Sequence, residues 1–246
     1  MYIQDDEPLA KEITAVIRAG DTVGLKKLLE AHEGLSKIRI ETKNQDYRGI
    51  RSLLHIATDW PGRIPNGPEV IRLLVKNGAD VNAKFKGAHA ETPLHWAASN
   101  NDVEALDALL DAGADIEAGG SVIDGRTALS DAVAFGQWDT ARRLAERGAK
   151  QLLWHAAALG NMDEVRRFVE EDKSKNQKQL NQAFWLTCHG GQREAAEYLK
   201  TCGADINWVG YDGLTPLDAA KRSRADDLAS WLVVMGGRTA KGCRPL

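Results

Sequence analysis

The phrase Gly-Ala-Asp returns along the chain at Gly78, Gly113 and Gly203, with weaker copies at Gly148-Ala149 and Gly236-Gly237. Successive glycines are 35, 35, 55 and 33 residues apart, so one copy is concealed in the longest interval. Twelve residues before each glycine stand Asn66, Asn101, Gly136, Gly191 and Arg224. The same frame joins Gly160 to Asp172, the concealed copy, and Gly20 to His32, a copy near the N-terminus. Seven copies at such a period mark an array of small units, none of which can bury its apolar face without a neighbour.

Each frame encloses one helical stripe. Val70-Ile71-x-Leu73-Leu74, Val103-x-x-Leu106-x-x-Leu109-Leu110 and Val165-x-x-Phe168-Val169 place apolar side chains on one face of a helix of about three turns. The glycine after the last apolar pair suits the left-handed position that ends a helix. A second helix precedes each frame, most plainly at Thr92-Pro93-Leu94-His95-x-Ala97-Ala98 and Thr215-Pro216-Leu217-Asp218-x-Ala220. The threonine hydroxyl can accept an orphan backbone N–H, and proline is tolerated in the first helical turn. The alanines let two helices approach closely.

Thr-Pro-Leu-His-x-Ala-Ala followed by Gly-Ala-Asp-Ile/Val-Asn at this period resembles the ankyrin repeat, in register over nearly all of the chain. The resemblance implies an all-α, ankyrin-type helical solenoid of about seven helix–turn–helix repeats with short β-hairpin fingers. The expected organisation is a single repeat domain, 1–237, with copies at 8–35, 47–82, 87–118, 122–149, 150–173, 177–207 and 210–237. Residues 238–246 are expected to be a disordered tail.

The departures from the pattern are local. Copy 2 reads Ser52-Leu53-Leu54-His55 and inserts five residues between its helices, around Trp60 to Pro68. In copies 4, 5 and 6 the motif histidine is read as replaced by Ser130, Trp154 and Trp185. Only Lys150 separates Gly148-Ala149 from a helix start at Gln151, so the finger between copies 4 and 5 is missing and a notch is expected there. Ser36 to Arg51 forms a long first finger, and its Ile38-Arg39-Ile40 alternation predicts short strands. Charged residues on copies 1 and 7 (Lys11, Glu12, Arg18, Lys26 and Lys27; Lys221, Arg222, Arg224, Asp226 and Asp227) predict polar caps.

Other function classes find little support. A net charge of −3 gives no general attraction to nucleic acid or anionic lipid. Cys188, Cys202 and Cys243 lack CxxC spacing and read as reduced thiols, and no signal peptide or membrane-length apolar run is visible. These features point to a cytoplasmic chain. Cys188-His189 is the one adjacent thiol–imidazole pair, but neighbours on a helix point about 100° apart. His32, His55, His89, His95, His155 and His189 show no metal spacing, and the motif positions of His55 and His95 imply a hydrogen bond to a neighbouring finger. No enzyme, cofactor or metal is expected.

A monomer that binds an unidentified protein partner is the expectation, with an inhibitor or immunity-type role suggested by the absence of any fused catalytic domain. The resemblance implies contact positions on the concave side. In the fingers these are Arg48, Arg51, His89, Glu91, Arg126, Tyr211 and Asp212, with Trp208 in the approach to the last. At the ends of the first helices they are Asp59, Trp60, Ser99, Asn100, Phe135, Leu159, His189 and Arg222. Trp96, Trp154, Trp185 and Trp231 are expected to pack, and Trp138 falls between the classes. The competing reading is nucleic-acid or small-ligand binding through the basic finger 173–178, with Lys173, Lys175 and Lys178, or through the notch between copies 4 and 5. The repeat frame itself is testable: Gly113→Val should lower the thermal midpoint by the equivalent of about 1–2 kcal/mol, since a β-branched residue resists the left-handed cap. An unchanged melt would refute that assignment.

Overall fold

A computed structural model describes residues 2–43, 48–123, 125–171 and 176–243. The chain divides into two compact units, Met1–Ala149 and Lys150–Leu246, at the point where the sequence lacks a finger. The first unit begins with strand β1 (Tyr2–Gln4), helices α1 (Pro8–Ala19) and α2 (Thr22–Ala31), and strands β2 (Arg39–Lys43) and β3 (Arg48–Ser52). Three further helix pairs complete it: α3 (Leu53–Ala57) with α4 (Gly67–Lys76), α5 (Pro93–Ser99) with α6 (Val103–Asp111), and α7 (Ala128–Ala134) with α8 (Trp138–Glu146). First helices pack on first helices, α1 to α3 to α5 to α7, and second helices on second helices.

The second unit holds α9 (Leu153–Leu159) with α10 (Met162–Glu171), α11 (Gln177–His189) with α12 (Arg193–Thr201), and α13 (Pro216–Arg222) with α14 (Asp226–Val234). Helix α11 packs against both α9 and α13. A short helix α15 (Ala240–Cys243) follows. The described residues of the tail, 238–243, are tied to the last repeats: Arg238 N–H donates to Asn207 Oδ1 at 2.7 Å and Ala240 N–H to Asp218 Oδ2 at 2.7 Å.

The twelve-residue frame has a direct backbone meaning. Gly20, Asn66, Asn101, Gly136, Gly160, Gly191 and Arg224 all have φ between 52° and 71°, and each lies in the turn between the two helices of a pair. At the other end of the frame Gly78, Gly113, Gly148, Gly203 and Gly236 have φ between 88° and 96°. Nothing crowds the Cβ position at Gly113, so the cost of Val there would be backbone strain alone.

The fingers differ from the expected hairpins. Among the described residues the strands form one three-stranded sheet, with β1 parallel to β2 and β2 antiparallel to β3. Ile38 and Ile40 are buried on either side of half-buried Arg39, in keeping with the alternation in the first finger, and Thr42 continues the buried side. Strand β1 was not foreseen. Later fingers are hydrogen-bonded turns: Phe85 N–H to Glu91 O at 2.7 Å, Gly120 N–H to Gly125 O at 3.0 Å and Gly210 N–H to Leu214 O at 2.8 Å. The charged cap residues of copies 1 and 7 are exposed, but Val233, Val234 and Met235 are exposed beside the latter, so that face is not wholly polar.

The first helices explain the register of the stack. Ser52 and Thr92 cap α3 and α5, and their backbone N–H groups donate to Nδ1 of His55 and His95, each at 3.2 Å. The opposite ring nitrogens face carbonyls one repeat on: His55 Nε2 lies 3.1 Å from Glu91 O, and His95 Nε2 3.1 Å from Arg126 O. A carbonyl can only accept and a backbone N–H can only donate, so both rings must be neutral with the proton on Nε2.

Copy 5 corrects the sequence reading. Helix α9 is capped at Leu152, one residue later than expected, so the motif histidine is His155, whose Nδ1 accepts from Leu152 N–H at 3.0 Å. Trp154 is therefore not its substitute, and it is half-buried, as is Trp231. In copy 6 Trp185 does stand in for histidine. Its indole Nε1 donates to Leu214 O at 2.9 Å, the carbonyl just before the next helix cap, Thr215.

Burial pushes the His55 imidazolium down to about 3 and lowers that of His95. The unfolded value is about 6.5. Their stabilising contribution is therefore complete above pH 6.5 and is lost as pH falls towards 3. At pH 5 the His55 contribution alone should be down by about 2 kcal/mol. Urea unfolding at pH 7 and pH 5 should show that loss, and His55→Gln should shrink the difference between the two pH values. An equal difference in the variant would refute the neutral-imidazole account.

Candidate functional site

In the first unit the candidates separate into those tied into the scaffold and those left outside it. Asp59, just past α3, accepts Arg18 at 3.2 Å and Arg51 at 2.9 Å. Asn100 Nδ2 donates to Thr58 O at 2.8 Å, tying the end of α5 to the end of α3. Asp59 and Asn100 therefore tie neighbouring copies together, and Arg51 braces Asp59 from within copy 2. Trp60 stands outside this network, 80% exposed, with only its backbone N–H held by Asp59 at 2.9 Å. Phe135, the residue after α7, is 49% exposed. The Arg48 and Arg126 side chains are exposed, and the Arg126 carbonyl is the one that faces His95.

Glu91 does not occupy the fingertip position expected of it. Its carboxylate is buried, accepting the Trp96 indole at 3.0 Å, with His89 Nδ1 at 2.8 Å. His89 stacks on Phe85 at 5.2 Å. Burial, with the charge of nearby Glu91 adding to it, raises the fully buried Asp131 carboxyl well above the usual range, although Ser121 Oγ donates to it at 2.5 Å. Sequence position could not reveal this acid pair, although a carboxylate inside the apolar run Ala128–Val133 was the available signal.

In the second unit Trp208, Tyr211 and Arg222 come together around Trp185. Tyr211 meets the Trp185 ring edge-on at 5.2 Å and Trp208 at 6.4 Å. The Arg222 guanidinium lies 5.7 Å from the Trp185 ring centre and pairs with Asp212 at 2.6 Å. Gln182 Nε2 donates to the Tyr211 hydroxyl. Gly210 permits the closure, since a Cβ there would sit 2.5 Å from Trp208 and 2.8 Å from Trp185. Tyr211 remains 44% exposed, and Val209, which the sequence reading overlooked, 49%. Its signal was an apolar residue in a finger, outside any helical stripe. His189 is the second correction: it is buried, with its ring 5.6 Å from Trp185, and its carbonyl accepts Ser223 Oγ at 2.6 Å.

Cys188 is fully buried beside His189, and burial pushes its thiol up to about 12. A thiolate nucleophile at neutral pH is not available there. Cys202 is a half-buried free thiol. Lys178 is exposed on α11, whereas Lys173 and Lys175 lie outside the described residues. No helix among the described residues is long and apolar enough to cross a membrane, and no acidic, histidine or cysteine group among them could hold a metal ion.

Residues 54–152 match the family model of ankyrin repeats in three copies, and the imidazole-to-finger bonds of His55 and His95 fall within that stretch. Residues 54–152 thus carry ankyrin repeats. The chain is also similar to an L-asparaginase of Dirofilaria immitis, 32% identical over an aligned length of 160, with 59% of this chain and 26% of that protein covered. A palmitoyltransferase AKR1 of Kluyveromyces lactis is 33% identical over 112 residues, 45% of this chain and 13% of that protein. The chain thus spans well under half the length of either relative. Ankyrin repeats are typically non-catalytic.

Trp185→Phe removes the indole donor while keeping an aromatic ring. It should destabilise the chain by about 1 kcal/mol, the net worth of one hydrogen bond, and speed proteolysis within Trp208–Leu214. If chemical unfolding and finger cleavage both match the parent, the indole does not pin the finger.

Proposed function

We propose that the chain is a non-catalytic module that binds a partner protein through its fingers and the ends of its first helices. Ankyrin repeats generally mediate protein–protein interaction. The observation that carries the reading for this chain is the finger Trp208–Leu214. It offers Val209 and Tyr211 to solvent, yet is fixed from below by Trp185, Gln182 and its own Gly210–Leu214 bond. Aromatic and arginine side chains dominate interface energetics, and a surface already ordered loses less entropy on binding. Trp60 and Phe135 supply further exposed aromatics in the first unit.

An inhibitor or immunity-type role follows if the fingers cover the partner's own working site. The nucleic-acid alternative finds one exposed lysine, Lys178, among the described residues of the basic finger, which is too little charge to favour it.

A photo-crosslinking amino acid at Tyr211 should capture a discrete protein from cells that make this chain. The same group at Glu104, exposed on a second helix, should not. Trp60→Ala, Phe135→Ala and Tyr211→Ala should each weaken capture by roughly thirtyfold, the equivalent of about 2 kcal/mol, with little change in melting. Trp185→Ala should instead lose about 3–5 kcal/mol of stability. Capture that survives all three aromatic substitutions in folded protein would sink the reading.

A further inference from the structure

The acid pair beneath the fingers of the first unit takes no part in the proposed binding surface. Asp131 is fully buried in α7, and Glu91, the residue before the α5 cap, is buried beside it. Ser121 Oγ donates to Asp131 Oδ1 at 2.5 Å, whereas Oδ2, equally buried, has no donor. The Glu91 carboxylate stands within hydrogen-bond reach of Asp131. Glu91 Oε2 accepts the Trp96 indole at 3.0 Å and faces His89 Nδ1 at 2.8 Å.

Two ionised carboxylates can only accept, and they repel one another. A single proton between them turns the contact into an O–H···O bond and supplies the donor that Asp131 Oδ2 lacks. Burial acts on Asp131 most strongly, followed by Ser121 and Glu91; none of these is a cation, and the carboxyl is pushed up to about 8. The charged groups around Glu91 are His89 on its own finger and, from α5, His95, which senses Glu91, His89 and Lys84 together. Helix α3 turns His55 to the Glu91 carbonyl, and Arg126 on the next finger points its side chain to solvent.

The pair lies where two fingers meet. Glu91 ends the finger before α5, and Ser121 ties Asp131 to the finger before α7. The fingers also touch directly: Ala90 N–H donates to Gly120 O at 3.2 Å, and a Cβ on Gly120 would lie 2.1 Å from Ala90 O. We propose that Glu91 and Asp131 share one proton at neutral pH, and that this proton latches the two fingers together and lets them part as pH rises. Closed, Asp131 keeps its proton up to about 8. Exposed by opening, an aspartate ionises above about 3.9. Opening therefore releases a proton, and each pH unit between those values favours the open fingers about tenfold, levelling off beyond the upper one. Any effect on partner affinity rests on the binding role proposed above; the latch itself does not.

Two measurements on the whole chain test the latch. Carboxyl-carbon NMR should show one aspartate titrating near pH 8, and that signal should be missing from Asp131→Asn. Glu91→Gln, which offers Asp131 an N–H in place of a second charge, should lower the midpoint by about one pH unit or more. Amide exchange, corrected for intrinsic rates, should show protection at Ala90 and Ser121 falling about thirtyfold from about pH 6.5 to about pH 8. In Asp131→Asn the same amides should stay level. That window lies above the one in which His55 and His95 gain protons. Should Asp131→Asn fail to fold, the titration of the parent and of Glu91→Gln still decides whether the proton is shared. If every aspartate titrates below about pH 6, no proton is shared. If one titrates high but protection in the parent stays level, the proton does not hold the fingers. Either result overturns the proposal, and neither bears on partner binding, since no partner enters the test.

Discussion

Each helix pair in this chain exposes an apolar face that only a neighbour can cover, and one polar bond fixes how the neighbour sits. It runs from the motif position of a first helix to the carbonyl just before the next helix cap: His55 to Glu91, His95 to Arg126, Trp185 to Leu214. Dispersion and apolar burial are non-directional and would allow the helices to slide. A buried donor facing a single buried acceptor does not, because any slip leaves both unsatisfied at a cost of 1–3 kcal/mol or so. The alanines behind it, such as Ala97, Ala98, Ala219 and Ala220, are fully buried and bring the backbones close enough for the bond to form.

The chemistry of that donor can vary more than its position. Imidazole serves twice over, since Nδ1 also accepts from the cap residue's own N–H, and this double duty forbids a second proton. Indole serves once: it donates but cannot accept. Helix α11 has no need of a cap at that point, because it begins earlier, at Gln177, and is capped by Asn176, whose Oδ1 accepts Gln179 N–H at 2.9 Å. The longer helix and the exchange of histidine for tryptophan are thus one structural decision. Asp218 takes the same position in α13 and turns its carboxylate to Thr215 and to the N–H of Ala240, using the site to hold the tail instead.

Much of this was legible because backbone constraints recur at fixed intervals. The twelve-residue frame found every inter-helix turn, since a left-handed residue must stand there whether it is Gly, Asn or, in Arg224, neither. What recurs less strictly was misplaced. The left-handed Gly160 lies eight residues after the cap Leu152, against nine from Thr92 to Asn101, and that single deletion hid His155 behind Trp154. Strand β1 is three residues long and gives no periodic signal; it forms only because β2 offers an edge. Glu91 and His189 show the limit of reading contacts from repeat position. Position fixes where a Cα lies, but the partners that bury these side chains, Trp96 and Trp185, come from neighbouring positions whose residue types differ from copy to copy.

The same dependence shapes how such a chain can acquire a binding surface. A finger has too few residues to stabilise itself, so its exposed side chains are only as ordered as the bond beneath them. Tyr211 and Val209 face solvent on a turn whose far end, Leu214, is held by Trp185. Arg222 reaches the same tryptophan from α13. Changes at the outer residues alter what a partner meets and leave the stack intact. Changes at Trp185 alter both, because the group that aligns two repeats is also the floor of the surface they present. On the proposed reading, binding and folding are separable at the surface of this finger and inseparable one layer below it.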